Sequence, residues 1–164
     1  MKKLLFILLT GLCAGTNAAD NFAKDKLVAW CVVPFDAKQR GPAERAAMLK
    51  QLGLKRVAYD WRTQHVKEFE DENLQYKKHG LEFFAFWKGH EEAFRLFEKH
   101  KIHPQIWRTL RSPQADSQEA RVAAAAQTML PLVQRTKELG CELGLYNHCL
   151  LYTSDAADEG LGVD

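Results

Sequence analysis

Cysteine is scarce in this chain and poorly placed for a disulfide framework. Of four cysteines, Cys13 falls in an apolar leader and Cys149 in a tail of different character, leaving Cys31 and Cys141. Both stand on or beside apolar runs far apart in order, which reads as two separate buried thiols rather than a bridge. No HxH, HExxH or CxxC spacing occurs, so spacing alone asserts no metal site. No glycine-rich turn follows the first apolar run, where Pro34-Phe35-Asp36 stands, and a Rossmann-type phosphate loop is therefore unsupported. Clustered positive charge is also missing. The chain has 23 Lys and Arg against 21 Asp and Glu, with the two signs interleaved, and that pattern speaks against nucleic acid as a partner.

Long apolar runs are absent too. The run Leu4 to Leu12 is too short to span a bilayer, and it lies between Lys2-Lys3 and the small residues Ala18-Ala19. Residues 1–19 therefore read as a signal peptide, which predicts a secreted or periplasmic protein with no membrane association after cleavage. The other end changes character at Cys149. Cys149 to Glu159 back-translates without a break onto the transposon-end adapter used to prepare sequencing libraries, so residues 149–164 read as a non-native tail and the natural sequence as cut off near His148.

Between these ends, short apolar runs alternate with amphipathic stretches. Strands are predicted at Leu27 to Val33, Arg56 to Trp61, Glu82 to Trp87, Gln105 to Thr109 and Glu142 to Tyr146. Four helices are predicted between them. The first runs from Gly41-Pro42 to Leu52-Gly53, and the second from near Thr63 to His79-Gly80 with Val66, Phe69, Asn73 and Tyr76 on one face. The third follows His90 and buries Ala93, Phe94 and Phe97. The fourth opens at Asp116-Ser117-Gln118-Glu119, a capping-box pattern, and continues past Pro131 to Leu139-Gly140. The phrases "KQLGLKRV", "KKHGLEFF" and "KELGCELGL" repeat one message of helix end, glycine, next strand, which signals β-α units and a parallel sheet. Two architectures fit: the N-terminal half of a (β/α)8 barrel over residues 20–148, and a small doubly wound parallel α/β domain. The half-barrel would leave its first and fifth strands as open edges, which predicts association rather than a soluble monomer.

In either architecture the site lies at the carboxyl ends of the strands. Trp30, Trp61, Trp87 and Trp107 place one tryptophan on or beside each of the first four strands, and Asp60, Arg62, Lys88, His90, Arg108 and Arg111 flank three of them. An indole beside hydrogen-bonding and charged groups suits a sugar or related polyol, whose C–H faces stack while its hydroxyls need directional partners. Trp61, Trp87, Trp107, His90 and Asn147 are the candidate binding residues. His148, at the end of the last strand, is the leading acid-base candidate. His65, His79, His100 and His103 are expected at the opposite face.

The segments "LVAWCVVPFD", "KRVAYDW", "LEFFAFWKGH" and "LGLYNH" resemble, in their order, the xylose-isomerase-like barrel superfamily of sugar and sugar-phosphate isomerases and epimerases, a fold shared with metal-dependent apurinic endonucleases. The resemblance spans Leu27 to His148, and "LGLYNH" is similar to the family's strand ending Glu-Asn-His-Gly-Gly. Asn147 and His148 match that motif, whereas Tyr146 stands where many members carry a metal-binding glutamate; the cofactor, a divalent metal included, stays open. The resemblance implies proton transfer next to a carbonyl through an enediolate, with Asp60 or His148 as base and Lys88 and Arg108 as cationic support. A non-catalytic carbohydrate-binding barrel is the alternative, and the weak, dispersed charge disfavours the nuclease branch.

Overall fold

The helix and strand boundaries follow the local chemistry. The computed structural model describes residues 22–110 and 113–146. Five strands, β1 (Val28–Val32), β2 (Arg56–Tyr59), β3 (Glu82–Trp87), β4 (Gln105–Thr109) and β5 (Leu143–Tyr146), alternate with helices α1 (Pro42–Gln51), α2 (Phe69–His79), α3 (Glu91–His100) and α4 (Gln118–Glu138). Pro42 opens α1 behind Gly41, whose backbone N–H donates to Glu44. Gly80 takes the left-handed conformation that ends α2. The α4 cap differs from the predicted box: Ser117, not Asp116, is the N-cap, and its hydroxyl accepts from the backbone N–H of Ala120. Glu119 therefore sits one position too early to close a box. The segment Thr63–Glu68, predicted as the start of the second helix, is a 3-10 turn leading into α2.

All neighbouring strands pair in parallel, in the order β1-β2-β3-β4-β5. One face of the sheet meets the helices. Tyr59 touches Phe69 and Tyr76 of α2, Phe83 and Phe86 touch Phe97 of α3, and Ala46 and Leu49 of α1 join the same buried cluster. Each fully buried ring in this layer contributes roughly 1.5–3 kcal/mol. The other face is lined by Trp30, Phe84, Trp87, Trp107 and Tyr146, whose rings contact one another.

That second face reveals the shape of the sheet. With strands about 4.8 Å apart, β1 and β5 of a flat sheet would lie about 19 Å from each other. The rings of Trp30 on β1 and Tyr146 on β5 are 5.6 Å apart, so the sheet curls and its concave side brings the two edges' side chains together. The unreversed strand order and this curl are those of a barrel segment, whereas a doubly wound sheet reverses its order and carries helices on both faces.

Gly144 is part of the same packing. A Cβ built on it would stand 2.7 Å from the Trp107 ring, so any larger residue there must push that ring aside. Gly144→Ala is expected to lower stability by about 1–3 kcal/mol, and a urea titration that leaves the midpoint unchanged would show that Trp107 can swing aside.

Candidate functional site

The carboxyl ends of β1, β2 and β3 converge on Asp60. Its backbone N–H extends the parallel ladder by donating to the Val32 carbonyl at 2.9 Å, which points the residue over the rim of the sheet. The carboxylate is largely covered, with 13% of the side chain exposed. Its Oδ1 lies 2.8 Å from the Arg62 guanidinium and 3.8 Å from Lys88 Nζ, and its Oδ2 accepts from the Cys31 thiol at 3.7 Å. Arg62 also donates to the Trp61 carbonyl and lies over the Phe35 ring at 5.3 Å. The structure thus assembles one carboxylate, two cations and one thiol from three successive strand ends.

Lys88 is placed by an unusual backbone. Both Lys88 and Gly89 have left-handed φ angles, of 70° and 73°, between the end of β3 and the start of α3. A Cβ on Gly89 would meet Phe94 at 2.8 Å, so the tight turn needs glycine at that point. The Lys88 carbonyl accepts from Arg108 at 3.3 Å, and Arg108 is exposed at the end of β4. Lys88, His90 and Arg108 line a cleft of about 790 Å³ together with Met129 and Leu132 of α4.

The aromatic candidates divide into distinct settings. Trp61 is half-buried at the rim; its indole N–H donates to the Trp87 carbonyl at 2.8 Å, and its ring packs at 4.8 Å against His90. Trp87 is buried beneath Trp30 and Tyr146, with its N–H directed to the Trp30 carbonyl at 3.3 Å. Trp107 lies on the concave face, where its N–H donates to Gln105. His90 caps α3 by accepting from the Glu92 backbone at 3.1 Å, which assigns its Nδ1 an acceptor role. Asn147, His148 and Arg111 lie outside the described residues, as do the signal-like leader and the adapter-like tail.

Two expectations are corrected. Cys31 is exposed rather than buried, on a strand that among the described residues pairs with β2 alone; Cys141 is buried as expected. Partial loss of hydration at the rim, then the adjacent Asp60 charge, pushes the Cys31 thiol up from its ordinary value against the opposing pull of Arg62 and Lys88, and burial alone pushes Cys141 up to about 11. His65 follows the carboxyl end of β2 and lines a cleft with Pro34 and Phe35, on the same side as Asp60 rather than opposite it. Reading the residues that follow each apolar run would have found His65, which comes after β2, whereas Cys31 lies inside β1 and carries no such signal.

Tyr146 packs its ring against Trp30 and Trp87. Among the described residues, no group of three or more His, Cys, Asp or Glu side chains is arranged to hold a metal ion. The donors described do not fit a metal centre. No protein-family model matches the chain, and no curated protein matches it in sequence. What is defined is an α/β protein with a singly wound, curled parallel sheet and a charged cluster at its strand ends.

Proposed function

We propose that the strand-end cluster is the active site of an exported sugar or sugar-phosphate isomerase or epimerase, moving a proton next to a carbonyl through an enediolate. The observation that supports this is the convergence of Asp60, Arg62 and Lys88 at the carboxyl ends of parallel strands. Proton abstraction beside a carbonyl needs a base and a counter-charge for the oxyanion that forms. The Asp60 carboxylate is the acceptor for the proton. Lys88 and Arg108 stand on the next two strand ends, where they can face the substrate oxygens, while Trp61 supplies an apolar face at the rim.

The test is solvent exchange. Incubating the protein with a panel of aldoses, ketoses and their phosphates in deuterated water should label the carbon next to the carbonyl, read by NMR. Asp60→Asn is expected to abolish the labelling, and Lys88→Met to slow it by about 10²–10³-fold. Tyr146 at the usual ligand position favours a second reading, a carbohydrate-binding barrel without turnover. Saturable sugar binding with no labelling by any member of the panel would select that reading over the enzyme.

A further inference from the structure

We propose that the outer face of α4 is a self-complementary surface through which two copies of this chain pair about a twofold axis. The helix carries an apolar stripe at Val122, Ala126, Leu130 and Val133, the spacing of a single helical face. Val122, Leu130 and Val133 are 58%, 53% and 43% exposed, and beside them Leu145 of β5 is 60% exposed. The stripe and the edge strand form a groove of about 650 Å³ that no other described element covers. Contiguous apolar surface of this kind is a site of association.

Charge placement identifies the occupant. Glu119 and Lys137 each lie nine residues from Thr128, at opposite ends of the stripe and on the same side of the helix. When two α4 helices pack antiparallel through the stripe, with the twofold axis level with Thr128, which lies on the helix's opposite side, Glu119 of each copy meets Lys137 of the other, while Val122 of each faces the Val133 end of the other. A parallel pairing would instead set Glu119 against Glu119 and Lys137 against Lys137. The antiparallel arrangement is isologous, so it closes at two copies rather than growing into a fibre.

Sedimentation equilibrium of the full 164-residue chain at about 0.1 mM, a concentration chosen to reveal a modest interface, is expected to give a dimer. Leu130→Glu should weaken it by about a hundredfold, with an unchanged circular dichroism spectrum showing that α4 is still folded. Lys137→Glu should weaken it about tenfold, and adding Glu119→Lys to that variant should restore the dimer. The exchange keeps composition and net charge, so nonspecific association would not follow it. A monomer at this concentration overturns the proposal, and so does association that ignores Leu130→Glu or that the charge exchange fails to restore.

Discussion

Arg45→Met is expected to destabilise the fold by about 3–5 kcal/mol at neutral pH. Arg45 is buried on α1, where its Nε donates to Glu72 Oε1 of α2 at 2.5 Å, its NH2 lies 3.3 Å from Glu68, and its NH1 donates to the Arg40 carbonyl. Glu72 is 1% exposed, and its second oxygen is sealed from solvent in the same pocket as the hydroxyls of Tyr59 and Tyr76. Burial, reinforced by the Glu72 charge, pushes both phenols up, so neither joins as an anion in the ordinary pH range. Removing Arg45 leaves Glu72 with no cation beside it, so its buried carboxyl must either stay charged and unpaired or take up a proton. Replacing both residues, as Arg45→Met with Glu72→Leu, is expected to recover most of the loss, because a well-packed apolar pair avoids the desolvation of both charges.

The same pair sets a pH dependence of defined sign. Burial pushes the Glu72 carboxyl up to about 7 from its usual value near 4.5, even though the Arg45 guanidinium pulls it down. An acid whose folded value lies above its unfolded one holds its proton more tightly in the folded state. Its contribution is most favourable below about 4.5, declines as pH rises towards about 7, and is level above that. Urea unfolding across this window should show wild type losing stability relative to Glu72→Gln as pH rises. Parallel curves for the two proteins would mean that Arg45 holds Glu72 ionised throughout.

Neither Arg45 nor Glu72 was legible as a partner in the sequence, and the reason is physical. The strands and helices have local signatures: Gly41-Pro42, His79-Gly80 and the apolar runs Glu82 to Trp87 and Gln105 to Thr109 mark their own ends within a few residues. A charge buried between α1 and α2 has none, because Arg45 and Glu72 lie 27 residues apart and each is ordinary on a surface helix. Asp60, Lys88 and Arg108 were legible because parallel β-α units fix which chain ends share a rim. Cys31 was misread because its exposure depends on which strands flank β1, and among the described residues only β2 does, a property of the sheet that no local run of sequence carries.

Trp87→Ala is expected to cost about 3–5 kcal/mol and to relax the curl of the sheet. Trp87 sits on the central strand, and its ring touches Trp30 on β1, Trp107 on β4 and Tyr146 on β5 at centroid distances of 5.8, 5.2 and 4.9 Å. Its N–H also reaches the Trp30 carbonyl, two strands away. One side chain thus ties both sheet edges to the centre across the concave face. Trp87→Phe keeps most of the apolar area and loses the hydrogen bond, so its cost should be nearer 1 kcal/mol. The pair of variants separates two roles for this residue. If Trp87 serves mainly as fill, both variants change unfolding midpoints and near-ultraviolet dichroism in proportion to lost area, with sugar affinity following stability. If it presents a stacking surface to ligand, Trp87→Phe should bind sugar nearly as well as wild type while Trp87→Ala, refolded with a stabilising osmolyte, should not bind at all. Burial of Trp87 under Trp30 and Tyr146 favours the first outcome, and leaves Trp61 and the half-exposed Trp30 as the indoles that a ligand entering beside Asp60 would meet.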